Sequence, residues 1–126
     1  MVFSEPTLVR SKLLVPGAAG LLHRPRVCQN IERGLGMKLT LVTGPAGYGK
    51  TSALIDFAQR TSVPVCWYTA DERDRDLGVL IAYLVGAIRE QFPGFGDRTQ
   101  AALSTRGGDL FHDPTATVAD LVNDML

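Results

Sequence analysis

Gly44-Pro45-Ala46-Gly47-Tyr48-Gly49-Lys50-Thr51 fills every fixed position of the pattern Gly-x-x-x-x-Gly-Lys-[Ser/Thr], the phosphate-binding loop of nucleoside-triphosphate binders. With glycine near 7% of average usage, an accidental match in so short a chain has a chance on the order of half a per cent. The flanks agree with the match. Residues 38–43 in front (KLTLVT) form a short β-branched apolar run that reads as a buried strand, and residues 50–60 behind carry Ala53, Leu54, Phe57 and Ala58 at helical spacing. The expected order is strand, loop, helix.

The residue types follow from what a phosphate needs. Glycines at 44, 47 and 49 let the backbone turn through conformations closed to other residues, bringing successive N–H groups against anionic oxygens. A helix starting at Lys50 adds its unpaired N-terminal N–H groups and its positive dipole end. Lys50 is the expected catalytic cation, reaching the β- and γ-phosphates; Thr51 is the expected Mg²⁺ ligand; Ser52 is placed to bond an α-phosphate oxygen. Pro45, Ala46 and Tyr48 complete the cofactor-binding loop, with the Tyr48 ring either on the nucleotide or on the surface.

Composition restricts the alternatives. The 126 residues hold 13 basic and 13 acidic side chains, so no net field recruits nucleic acid, and direct nucleic-acid contact by this segment is not expected. Cys28 and Cys66 fit no CxxC pattern and read as free thiols, core or near-core, in a reducing cytoplasm. No apolar run has the length of a membrane span. Residues 13–22 follow Arg10 and Lys12 and are apolar, but Pro16, Gly17 and Gly20 interrupt them as a signal sequence.

Outside the loop the pattern alternates. Arg24-Pro25-Arg26 opens a helix with Val27, Ile31 and Leu35 on one face. Residues 63–70 (VPVCWYTA) read as a second strand. Asp76 caps a long helix with Leu77, Leu80, Ile81, Leu84, Ile88 and Phe92 as its stripe, ended by Pro93, Gly94 and Gly96. A short helix over 97–104 and a last one after Asp113-Pro114, striped by Val118, Leu121, Val122 and Met125, complete the chain. Strand-helix-strand-helix order predicts an α/β domain with a mostly parallel sheet.

Lys12-Leu13 with Pro16, Leu21 to Arg26, the LTLVTGPAGYGKTSAL core, the VCWYTADERDRD segment, and Tyr83-Leu84 with residues 92–96 together resemble the nucleotide-binding domain of MalT-like, LuxR-type large ATP-binding transcription regulators. These are signal-transduction ATPases with numerous domains, the STAND class. The resemblance runs from about residue 10 to the end. It implies the P-loop NTPase three-layer fold, a parallel sheet with helices on both faces, here incomplete: residues 1–24 an extended segment, residues 25–126 the N-terminal part of the domain, stopping before the Walker B strand. It implies ATP and Mg²⁺ as cofactors, a nucleotide-dependent switch, downstream regulatory domains as partners, and a nucleotide-dependent oligomer of the parent left open. It also places Leu22 and Arg24 on the adenine side of the nucleotide; the competing reading is a core leucine and a solvated helix-start charge.

The acidic run Asp71, Glu72, Asp74, Asp76 admits two readings. Four apolar residues followed by Asp-Glu is what a Walker B strand looks like, which would put Asp71 on Mg²⁺ and Glu72 on the attacking water. Arg73 and Arg75 instead suggest a self-neutralising loop near the phosphates, and a conformational role is the expectation here. ATPase activity is then expected of the parent and is negligible in this segment. The second function class is a small P-loop phosphotransferase holding its acceptor with Asp71, Arg73 and Arg75, with Arg98 and Arg106 as the only lid arginines.

Overall fold

The computed structural model of the chain describes residues 6–106 and 114–126, and among them the regular elements are helices, with no strand. The expected parallel sheet, and with it the three-layer α/β architecture, is therefore overturned. Neither run read as a strand is one: residues 39–43 and 64–70 have no regular structure, and Lys38 and Val63 lie in bends. Among the described residues no backbone–backbone hydrogen bond joins residues 38–43 to another segment, and Leu39 and Leu41 stand 73% and 75% exposed. The run over 63–70 sends one backbone N–H, that of Thr69, to the Lys12 carbonyl at 2.9 Å. A strand is defined by its neighbour. β-branched composition makes a segment extended, but a sheet exists only where a second extended segment supplies matching carbonyl and N–H rows.

The chain divides into two compact units, residues 15–65 and residues 1–14 with 66–126. The second β-type run straddles the division at Val65 and Cys66.

In the unit spanning 15–65, α1 (Pro25–Gly34) packs on α2 (Lys50–Arg60). Proline at the first position of α1 supplies a fixed φ and lacks only an N–H that would be unpaired there anyway. Ile31 of α1 and Ala53 and Ile55 of α2 are buried, while Leu35 is half exposed.

In the other unit, a 3₁₀ turn over Arg10–Leu13 lies within the segment expected to be extended, and a second one spans Glu72–Arg75. α3 (Leu77–Arg89) is capped by the Asp76 carboxylate, which accepts from Val79 N–H at 3.0 Å. It buries two faces rather than one stripe. Ile81 and Val85 join Leu103 and Leu121 in one cluster, and Tyr83 and Ala87 join Leu13 in another. A helix apolar nearly all round belongs inside, which is why its period underdetermines its burial. Phe92, expected at the end of the stripe, is 52% exposed.

α4 (Asp97–Arg106) and α5 (Thr115–Asp124) pack against each other. The Asp124 carboxylate accepts from Thr99 N–H at 3.0 Å and Oγ1–H at 2.8 Å, so the end of α5 caps the first turn of α4. Asp113, expected just before this last helix, lies outside the described residues. Along α5 only Leu121 of the expected stripe is buried; Val118, Val122 and Met125 are exposed.

Candidate functional site

The loop over 44–49 runs directly into α2. Gly47 and Gly49 have φ of 83° and 75°, left-handed values that cost an L-residue of order 1–2 kcal/mol, so the motif glycines are used where the backbone demands them. Gly49 is the N-cap of α2 and has no side chain to occupy the helix's first N–H groups. Tyr48 N–H turns back to the Pro45 carbonyl at 3.4 Å, closing the loop around Ala46 and Gly47.

The Lys50 ammonium lies over this turn. It donates to the carbonyls of Gly44 at 2.6 Å and Pro45 at 3.0 Å. Those acceptors carry no charge, and the contacts are solvent-exposed. Thr51 is exposed and Ser52 half-buried in the first turn of α2; Tyr48 is 70% exposed.

Arg24 does not stand free before α1. Its guanidinium donates to the Gly49 carbonyl at 2.8 Å and more weakly to that of Tyr48, pinning the segment before α1 to the neck of the loop. A Cβ added at Gly49 would lie 2.7 Å from Arg24 Nη2. Leu22, two residues before it, is 79% exposed rather than in a core.

The acidic run is organised around Asp74, whose side chain is 4% exposed. Its Oδ2 accepts from Lys12 Nζ at 2.5 Å, from the Tyr68 hydroxyl at 2.7 Å and from Asp71 N–H at 3.0 Å. Asp71 is bound to Arg73 through both backbone and side chain and to Lys12 at 3.1 Å; Arg75 approaches Glu72 at 3.9 Å. Tyr68 and Tyr83 stack with ring centroids 5.2 Å apart, and the Lys12 ammonium sits 4.6 Å from the Tyr83 centroid. Arg73 with Lys12 holds the Asp71 carboxyl down at about 2, and Lys12 leads the groups that hold Asp74 below the usual range. Burial alone would lower the Lys12 ammonium, but the bonds to Asp74 and Asp71 outweigh it and leave it raised. Burial and Asp74 push the Tyr68 phenol up. These charges face one another.

Sequence reasoning missed a third grouping. Asp56 of α2 is buried and receives Arg60 Nε on Oδ1 at 2.7 Å, with His23 Nδ1 at 2.7 Å and Cys28 Sγ at 3.2 Å on Oδ2. Arg60 first, then His23, hold the Asp56 carboxyl far below its ordinary range, while burial and the facing Asp56 push the Cys28 thiol up. Ile55-Asp56-Phe57, a carboxylate set among apolar residues of an amphipathic helix, is the one local sign of it. Cys28 is half-buried as expected of a near-core thiol, but Cys66 is exposed.

No helix among the described residues is long and apolar enough to cross a membrane. No protein-family model matches the chain, and no solved structure matches it.

Proposed function

We propose that residues 44–52 bind the phosphates of ATP with Mg²⁺, and that the chain is the nucleotide-binding module of a STAND-type regulator, a cytoplasmic switch acting on downstream regulatory domains. The observation that carries the reading is the Gly49–Lys50 junction: a left-handed glycine opens an uncapped helix, and the adjacent ammonium rests only on neutral loop carbonyls. Helix N–H groups, the positive dipole end and the cation belong to the same first turn of α2, and these are the groups an anion requires. The site is built by a loop and a helix, and it does not depend on a sheet. Thr51 would supply the Mg²⁺ ligand, and Arg24 braces the loop backbone through the Gly49 carbonyl.

The phosphotransferase alternative asks Asp71, Arg73 and Arg75 to hold an acceptor. In the structure Asp71 is bound to Arg73 and Lys12, and an acceptor would have to break those contacts first. A switch is favoured, with negligible hydrolysis by this segment.

Calorimetric titration with Mg-ATP tests the loop. Lys50→Ala removes a charge-assisted contact to phosphate and is expected to weaken binding by ~10- to 100-fold, with the melting curve of the apo chain nearly unchanged. Equal affinities for wild type and variant would sink the assignment. Thr51→Ala is expected to reduce the advantage of Mg²⁺ over EDTA.

A further inference from the structure

We propose that His23, Cys28 and Asp56 form a binding site for one zinc-class divalent cation, fastening the segment before α1, α1 itself and α2 together. The donor atoms of these side chains lie within 4.8 Å of one another, and the fold brings Asp56 of α2 to His23 and Cys28, which stand five residues apart around the start of α1. Imidazole, thiol and carboxylate are the donor set that a borderline-soft, four-coordinate ion prefers over the oxygen-only sets of Mg²⁺ or Ca²⁺.

The arrangement exceeds what Asp56 needs for itself. Arg60 alone, 2.7 Å from Oδ1, supplies a counter-charge. Yet two further groups of different chemistry turn to the other oxygen, Oδ2, on the side away from Arg60. With metal–ligand bonds of about 2.0–2.3 Å, tetrahedral ligands stand roughly 3.4–3.7 Å apart. The His23 nitrogen at 2.7 Å and the Cys28 sulfur at 3.2 Å from Oδ2 open by less than about 1 Å, and with every donor pair within 4.8 Å the third separation closes by about 1 Å at most to admit the ion.

The balance of the step is simple. Cys28 gives up its thiol proton to solvent, the Nδ1 proton that His23 shares with Asp56 Oδ2 is lost to solvent while Nε2 carries the ring proton, and Asp56 binds through the Oδ2 so freed. Thiolate and carboxylate neutralise the dication. Arg60 stays on Oδ1 as the outer hydrogen bond that fixes the carboxylate's orientation. The His23 side chain is 35% exposed, which leaves the fourth position open to water. Arg24, next to His23, holds the Gly49 carbonyl, so a cation here also stiffens the neck of the 44–49 loop.

Cobalt(II) is the probe, because zinc is spectroscopically silent. Titrating the full chain is expected to give one Co²⁺ per chain, intense visible bands of four-coordinate cobalt and a thiolate-to-cobalt charge-transfer band in the near ultraviolet. Cys66→Ser should keep that band and Cys28→Ser should lose it. His23→Gln leaves the Asp56–Arg60 pair intact and should keep the sulfur band while weakening binding more than about tenfold, beyond what outer-shell changes produce. Circular dichroism checks that each variant is folded. No charge-transfer band in the wild type, a band that survives Cys28→Ser, or unchanged affinity in His23→Gln would each overturn the site.

Discussion

The loop over 44–51 and the turn over 71–76 are both charged, polar and glycine- or acid-rich, and the sequence offers both as phosphate-site candidates. Their physical states are opposite. In the loop the one cation, Lys50, bonds to neutral backbone oxygens in solvent. In the turn Lys12, Arg73 and Arg75 are matched by Asp74, Asp71 and Glu72, and Asp74 is buried beside two stacked tyrosines. A cation answered by a carboxylate is part of the architecture, and one answered only by carbonyls is available to a ligand. The loop should thus respond to substitution in affinity and the turn in stability.

The largest effect is expected from Tyr83→Ala, which removes the stacked partner of Tyr68, the ring under Lys12 and the hydroxyl accepting from Val9 N–H at 3.1 Å. Urea denaturation should show a loss of about 3–5 kcal/mol, the usual cost of emptying an aromatic site. The loop's own Tyr48→Ala should stay within about 0.5 kcal/mol, as for exposed residues generally. Similar losses for both tyrosines would break the comparison.

Exchanging the lysines sharpens it. Lys12→Met is expected to lower the melting temperature and leave Mg-ATP affinity per folded molecule unchanged, the reverse of Lys50→Ala. Scanning calorimetry and titration of the two proteins side by side decide this, and a large affinity loss in Lys12→Met would return the acidic turn to the phosphate site.

Gly49→Ala comes next. A Cβ at φ 75° is strained and meets Arg24 Nη2 at 2.7 Å, so roughly 1–2 kcal/mol of stability should go, with ATP affinity falling as the loop neck shifts. Gly17→Ala, where a Cβ meets nothing within 4 Å, is the matched control.

Asp56, whose carboxyl is held furthest below its ordinary range, and the turn together dictate the pH profile. Asp71, Asp74 and Asp124 titrate below their ordinary range when folded, so the unfolded chain binds protons first and stability falls as pH drops from about 4 towards 2. The Cys28 and Cys66 thiols, Lys12 and Tyr68 are raised, so the folded chain holds their protons longer and stability falls as pH climbs past about 9. Melting temperatures across pH should show a plateau between those limits, and a profile rising below pH 4 would contradict it.

The smallest effect concerns neither region. Thr117 Oγ1 is fully buried with no hydrogen-bond partner among the described residues, so Thr117→Val should be neutral or stabilising by up to about 1 kcal/mol in urea titration.

Local chemistry made the loop legible, because left-handed φ at Gly47 and Gly49 and a helix starting at Lys50 are properties of adjacent residues. The bounds of α2, the Asp76 cap and the proline opening α1 were readable for the same reason. The sheet was not, since extended propensity at residues 38–43 and 63–70 says nothing about a neighbour, and the structure gives neither run a ladder. Nor were the Lys12–Asp74 pair, 62 residues apart, and the meeting of His23, Cys28 and Asp56. By itself the sequence determined backbone conformations that depend on one residue and its immediate neighbours, and the phosphate motif that follows from them. The tertiary structure alone decided which charges are neutralised and which carboxylate is buried among a thiol and an imidazole. Coulombic and coordination energies depend on distances through space, and separation along the chain does not encode them.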